Sequence, residues 1–123
     1  VEKYEISQQA LDLERNNLYM LFNKMSDMLF VISKDGIILS INDAVRNRLQ
    51  YPNGNLIGKP VSVIYNFDDV TSVMKDLYND EQRSHTMKLI AKDGSEVLVG
   101  NRAIKGLWNG QEVRFWSSHE LKD

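Results

Sequence analysis

The residues of this chain that could carry out chemistry are two histidines and a pair of adjacent carboxylates. Asp68 and Asp69 could form a general acid–base pair, but neighbouring helical residues point in different directions, and acids at a helix start usually serve as caps. His85 and His119 have no nucleophile at a recognisable spacing, and the sequence contains no phosphate-binding loop, dinucleotide fingerprint or metal-ligand pattern. We therefore expect no enzyme activity and no metal site.

The side-chain amide of Asn101 is a stronger candidate for a binding role than these ionisable groups. Strand alternation places Asn101 with apolar residues such as Val99 and Ala103 on the inward face of a strand. A buried amide without partners costs about 1–3 kcal/mol, so something must satisfy it. The candidates are a ligand, a buried water and Ser117 on the neighbouring strand. Asn42 is interpreted differently, as a turn residue that bonds to the backbone.

Three glycine-containing turns determine the elements that position these residues. Lys34-Asp35-Gly36 and Lys92-Asp93-Gly94 each join two alternating apolar runs, and Asn109-Gly110 precedes a further run. Asp-Gly and Asn-Gly accept positive φ at both corners of a type I′ turn, so we expect tight hairpins of that type. The predicted order is two strands at 28–33 and 37–41, a helical insert, and three strands from residue 84 onward, which is an α+β arrangement.

Short helices are expected between the two hairpins. Asp43 is a suitable N-cap for a helix from Ala44 to about Gln50, and a turn of helix is expected near residues 61–65. Residues 68–79 begin with two acids and continue with an apolar stripe at i, i+3, i+4 and i+7. This stripe should pack on the sheet.

Residues 1–25 are expected to form a separate amphipathic helix that precedes a domain at residues 26–123. Apolar residues repeat every seven positions in two rows, on nearly opposite sides of this helix. One row can cover the sheet while the other meets a second copy of the chain, which predicts a homodimer. The dimerisation row is Tyr4, Leu11, Leu18 and Met25. The alternative is a single helix that lies on its own domain.

The last three strands alternate with period two, which predicts the face of each side chain. The face toward the helices is predicted to carry Met87, Leu89, Val97, Val99, Asn101, Ala103, Val113, Phe115 and Ser117. The outward face is predicted to carry Arg114 and Trp116 together with Leu98 and Ile104, and the N-terminal helix is expected to cover it.

Length and composition indicate a single domain and exclude several kinds of partner and chemistry. A length of 123 residues suits one domain, and a net charge of -2 without blocks of one sign favours neither nucleic acid nor anionic membrane as a partner. Cysteine is absent, which excludes disulfides and thiolate chemistry. No apolar run could cross a bilayer and no signal peptide is present, so we expect a cytoplasmic piece of a longer protein without direct membrane contact.

With its elements in this order the sequence resembles a PAS domain over about residues 18–120. The motifs that carry the resemblance are Leu29-Phe30-Val31-Ile32 before Asp35-Gly36, Ile41-Asn42, Leu56-Ile57-Gly58-Lys59-Pro60 and Lys92-Asp93-Gly94-Ser95-Glu96. The resemblance implies a five-stranded antiparallel sheet in the order 2-1-5-4-3 with short helices on one face. It also implies bacterial signal transduction upstream of an effector, namely a histidine kinase of a two-component system, a diguanylate cyclase or a transcription factor. Glu120-Leu121-Lys122 replaces the Asp-Ile-Thr that often leads to the effector.

The resemblance further implies a small-molecule pocket, or a closed core, between the sheet and the helix at residues 68–79. The residues expected to line it are Phe67, Val70, Met74, Met87, Leu89, Val99, Asn101, Phe115 and Ser117. Haem is disfavoured because haem-binding members generally have a histidine on the helix before the third strand, and residues 68–79 contain none. Flavin photochemistry needs a cysteine where this chain has Val45-Arg46-Asn47-Arg48-Leu49, so flavin is disfavoured too and no cofactor is assigned.

These observations predict a non-enzymatic sensor domain of a larger signalling protein. A small ligand or partner would change the packing of helix against sheet, and the change would pass to an attached output domain through dimer and helix rearrangement. The alternative is a ligandless module for dimerisation and relay, in which Phe67, Met74, Met87 and Phe115 fill the cavity themselves.

Overall fold

Five antiparallel strands form one sheet in the order β2-β1-β5-β4-β3 in the computed structural model of this chain. The structure describes residues 22, 25–52, 55–66, 69, 73–75 and 83–121. The strands are β1 (Met28–Ser33), β2 (Ile38–Ile41), β3 (Arg83–Ile90), β4 (Glu96–Trp108) and β5 (Gln111–Glu120). The predicted fold class and strand order are confirmed.

Two of the short helices predicted between the hairpins are described over their length. Helix α1 spans Asp43–Leu49, and a 3₁₀ helix spans Val61–Ile64. Of the helix expected at 68–79, only residues 69 and 73–75 are described, and of the N-terminal helix only residues 22 and 25 are. No helix in the described ranges is long and apolar enough to span a bilayer.

The two Lys-Asp-Gly turns are not of type I′, which corrects the prediction from the sequence. Gly36 and Gly94 have φ of 85° and 87°, but neither preceding Asp has positive φ. Each turn is instead a three-residue loop closed by backbone bonds, such as Ser33 N to Ile37 O at 2.8 Å. A three-residue loop with glycine in the left-handed position is the second common hairpin type. Only Asn109-Gly110 has positive φ at both residues.

Helix α1 is capped one residue earlier than predicted. Asn42, not Asp43, is the N-cap, and its side-chain oxygen accepts a hydrogen bond from the backbone N–H of Val45 at 3.3 Å. Asn42 is the residue with extended backbone, as an N-cap requires, whereas Asp43 is already helical. Gln50 ends the helix in the left-handed conformation, with φ of 64°.

The core lies between the sheet and the helices. Inward side chains from all five strands pack there with Val45 and Leu49 of α1 and with Ile64 of the 3₁₀ helix. The pairing of β1 with β2 shifts by one residue between Val31 and Ile32. Such a bulge changes the alternation, so Ile38 and Ile41 both reach the core although they are three residues apart.

Loops occupy both outer edges of the sheet. Ile38 on β2 donates its N–H to Lys59 O and accepts at its carbonyl from Gly58 N, at 2.9 and 2.8 Å. At the opposite edge Tyr65 forms a bridge with Leu89 of β3.

Candidate functional site

A row of polar side chains crosses the inner face of the sheet, among the apolar residues of the core. The strand register pairs His85 with Asn101 and Asn101 with Ser118, so these residues lie side by side on β3, β4 and β5. Directly paired residues of antiparallel strands share a face. We call His85, Asn101 and Ser118 the polar row.

Asn101 is fully buried, at 0 % exposure, as strand alternation predicts. The hydroxyl of Ser118 donates a hydrogen bond to its Oδ1 at 2.5 Å. Ser118 therefore takes the place that the sequence assigned to Ser117. Since the Asn101 oxygen accepts from Ser118, its amide nitrogen is the donor of this group.

Trp116 lies beside the polar row on the inner face, paired with Ala103 on one side and Phe30 on the other. Its side chain has 0 % exposure and meets the Phe30 ring edge to face, with ring centroids 6.4 Å apart. Within the described ranges its indole Nε1 is buried without a hydrogen-bond partner.

The predicted faces of β5 are wrong. Phe115 and Ser117, expected to line the ligand pocket, lie on the outer face with Val113, whereas Arg114 and Trp116, expected outside, are buried on the inner face. Both faces of this strand carry apolar residues, since Val113 and Phe115 lie on the outer face and Trp116 on the inner face. Alternation therefore cannot tell which face belongs to the core.

On the outer face three aromatic residues form a cluster at the end of the β4–β5 hairpin. The Phe115 ring lies directly over Gly106, where a Cβ would be 2.9 Å from Cδ2 of the ring. Trp108 contacts Phe115 edge to face, with centroids 6.2 Å apart, and Phe22 packs on Trp108 at 5.6 Å. Phe22, which precedes β1, thus packs against the outer face.

Three other predicted pocket residues do lie on the inner face. Met87, Leu89 and Val99 are buried in the core. Met74 is 49 % exposed and therefore does not fill the space between helix and sheet. Phe67 and Val70 lie outside the described residues.

Of the residues predicted for dimerisation, Tyr4, Leu11 and Leu18 lie outside the described residues. Met25 is described, and its side chain is 47 % exposed.

Polar contacts join the start of β1, helix α1 and the end of β5. The amide nitrogen of Asn42 donates to Asp27 O at 2.9 Å, and the Asp27 carboxylate contacts His119 Nδ1 at 2.7 Å. Arg48 on α1 donates two hydrogen bonds to the Glu120 carboxylate, at 2.7 and 2.8 Å. These bonds raise the pKa of the Arg48 guanidinium. The last residue of β5 is therefore tied to α1.

The two faces of the sheet carry different polar groups. His85 lies on the inner face and His119, paired with Gly100, on the outer face, so the two imidazoles cannot act on one molecule. Among the residues for which coordinates are described, no three His, Asp or Glu side chains are grouped to hold a metal. The inner face instead offers hydrogen-bonding groups in apolar surroundings, which is the usual make-up of a small-molecule site.

Sequence reasoning missed His85, Trp116 and Ser118 as inner-face residues. A usable signal was present in the Asn109-Gly110 turn, because a two-residue loop fixes which residues of β4 and β5 are paired.

Comparison with known proteins gives a consistent result. A family model described as the PAS fold matches residues 16–119. No curated protein matches the sequence. The PAS domain of an HTR-like protein from Haloarcula marismortui superposes with a TM-score of 0.82 at 22 % identity, covering 95 % of this chain and 99 % of that chain.

Two further solved structures come from sensor kinases. A PAS domain from a two-component sensor histidine kinase has a TM-score of 0.77 at 15 % identity, covering 89 % of this chain and 98 % of that chain. A domain of a sensory box sensor histidine kinase/response regulator from Geobacter sulfurreducens has a TM-score of 0.72 at 17 % identity, covering 87 % and 95 %. At these identities the likenesses show the fold.

Proposed function

The chain belongs to the PAS fold family, and on that premise we propose that it is a non-enzymatic sensor module of a larger signalling protein, which binds a small ligand on the inner face of its sheet. The observation that carries the proposal is the polar row. Stability alone favours apolar side chains in a core, because each buried polar group costs free energy unless it is hydrogen-bonded.

The polar contacts at the ends of β1 and β5 support a relay from this site to an output domain. Asn101 and Ser118 belong to β4 and β5, and two residues beyond Ser118 the same strand ends at Glu120, which is held by Arg48 of α1. We propose that the ligand favours one of two packings of α1 against the sheet and so shifts the end of β5. Its effect cannot exceed the difference between its affinities for the two packings.

Native mass spectrometry of freshly purified protein tests the binding step. The proposal expects a non-covalent adduct that is released on denaturation, and a melting temperature that rises when the released compound is added back, since a ligand that binds only the folded state stabilises it. An adduct-free protein whose melting temperature responds to no compound would contradict ligand sensing.

A ligandless relay module is the second candidate. It is supported by the burial of Met87, Leu89, Val99 and Trp116, each no more than 2 % exposed. Such a module would show no adduct, yet breaking the contact between Arg48 and Glu120 would still alter the output. Charge reversal at both positions together, Arg48→Glu with Glu120→Arg, should restore the output in either case.

We also propose that the module forms a homodimer through the segment before β1. The exposure of Met25 and the contact of Phe22 with the outer face support this role, and Tyr4, Leu11 and Leu18 complete the predicted row. The full chain should sediment as a dimer, and deletion of residues 1–20 should give the mass of one shortened chain. A shortened chain that still sediments as a dimer would rule out dimerisation through this segment.

The attached effector is proposed to be a signalling enzyme. Two similar structures are titled as parts of sensor histidine kinases. Fusion of residues 1–123 to a histidine kinase domain, followed by measurement of autophosphorylation with and without the released compound, tests whether this domain controls such an output.

A further inference from the structure

The indole N–H of Trp116, on the inner face of the sheet, is buried without a hydrogen-bond partner among the described residues. Its side chain has 0 % exposure, and the described residues supply no acceptor for Nε1. More than nine in ten buried polar groups in native proteins are hydrogen-bonded. Because indole is a donor only, the missing partner must be an acceptor.

A second donor lies close to this N–H. Asn101 and Trp116 are diagonal neighbours on the inner face, since Asn101 pairs with Ser118 and Ala103 with Trp116. Diagonal neighbours have Cα atoms about 7–8 Å apart, within reach of a large aromatic side chain. The Asn101 oxygen accepts from Ser118, so its amide presents N–H groups. Two kinds of N–H group therefore lie near each other on this face.

Apart from the polar row and the buried Arg114, two residues before Trp116 on β5, the neighbours of this donor pair are apolar. Phe30 lies beside Trp116 on β1, and Val99 and Met87 occupy the next paired positions on β4 and β3. All three side chains are buried. A molecule that reached the donors would be enclosed by hydrocarbon, so a cation without an acceptor would be desolvated without compensation.

Building on the ligand-binding function proposed above, we infer that the ligand has an apolar body and one carbonyl or carboxylate oxygen, which accepts from the indole N–H of Trp116. Trp116 is then the residue that determines specificity for an oxygen acceptor.

Probes of one shape that differ only in their polar group test this inference. Benzamide and benzoate carry an acceptor oxygen, benzylamine carries a cation that only donates, and toluene carries no polar group. Each is titrated against the full chain while binding is followed by the melting temperature and by nitrogen-15 spectra of the indole groups. Benzamide or benzoate should bind and shift the Trp116 indole resonance, and toluene and benzylamine should bind at least about tenfold more weakly.

Substitution then assigns the effect to the indole N–H. Trp116→Phe keeps an aromatic ring and removes the donor, so affinity for the oxygen-bearing probe should fall about tenfold towards that of toluene. Trp108→Phe, in the outer aromatic cluster, is the matched control and should bind as the unsubstituted chain does. If Trp116→Phe does not fold, the inference is still tested by whether benzamide or benzoate shifts the Trp116 indole resonance of the unsubstituted chain.

Two outcomes would overturn the inference. One is equal binding of all four probes, or an indole resonance that no probe moves, which would mean that a water or the Phe30 ring satisfies the N–H. The other is a natural ligand that stays bound to Trp116→Phe with unchanged affinity. That result would contradict the role of Trp116 in recognising the ligand and leave the proposed sensing function intact. A chain that shows neither an adduct nor a response to any probe would contradict both proposals.

Discussion

Asn42→Ala is expected to destabilise the fold far more than a single surface amide normally would. The Asn42 oxygen accepts from Leu29 N at 3.0 Å and from Val45 N at 3.3 Å, while its nitrogen donates to Asp27 O at 2.9 Å. The residue is fully buried, at 0 % exposure. One side chain thus pins the start of β1 to the start of α1.

The size of the effect follows from these contacts. Loss of an N-cap costs about 1 kcal/mol, and leaving the partly buried N–H of Leu29 without an acceptor adds about 1–2 kcal/mol. We expect Asn42→Ala to lower the free energy of unfolding by about 3 kcal/mol, a large part of the 5–15 kcal/mol typical of a domain. Asn42→Asp keeps the acceptor oxygens but sets a carboxylate against Asp27 O, so its loss should be smaller.

Urea unfolding followed by far-ultraviolet circular dichroism measures this loss. The slope of free energy against urea should stay unchanged, because the surface exposed on unfolding does not change. Asn47→Ala is the matched control, since Asn47 is exposed on the same helix and its removal should stay within about 0.5 kcal/mol. A loss below about 1 kcal/mol for Asn42→Ala, or an equal loss for Asn47→Ala, would refute the reasoning.

Three further substitutions test the region around the second hairpin and the end of α1. Gln50→Gly should raise the free energy of unfolding by about 0.5–1 kcal/mol in thermal unfolding, because Gln50 is in the left-handed region; no gain would contradict a strained cap. Tyr51→Phe should cost about 1 kcal/mol in urea, since the hydroxyl donates to Ile90 O at 3.0 Å and burial raises its pKa; a neutral result would mean that this bond is replaced by water. The Asp93 carboxylate accepts from the Ser95 hydroxyl and from Ser95 N, the latter at 2.9 Å, and these bonds lower the pKa of Asp93. Its contribution to stability is therefore present above the ordinary pKa of about 4 and is lost as the pH falls through the lowered value. Asp93→Asn should therefore flatten the fall in melting temperature between about pH 5 and pH 3, and an unaltered slope would show that other carboxylates account for it.

The strands and hairpins could be predicted from the sequence because each hairpin carries a local signal, whereas the strand order was implied by the resemblance to PAS domains. Glycine at positions 36, 94 and 110 marks the loops, and the alternating runs between them give the strands. The Asp-Gly pair alone could not predict the turn type, because the choice between a two-residue and a three-residue loop depends on how the flanking strands pair.

The site was predicted only in part, and β5 shows why. Val113, Phe115 and Trp116 are all apolar, so hydrophobic alternation favours neither face. The two-residue turn at Asn109-Gly110 contains the missing information, since it sets Trp108 opposite Gln111 and hence Asn101 opposite Ser118. Asn42 was recognised as a backbone-bonding residue, but its contacts to Asp27 and Leu29 require β1 and β2 to be adjacent, which no local pattern contains.

The loops along both outermost strands limit how this sheet can pair with strands of other molecules. At Ile38 and Leu89 the positions where a foreign strand would dock are already taken by Gly58, Lys59 and Tyr65. Backbone pairing between the sheet edges of two copies, as in fibres, is therefore blocked at these positions.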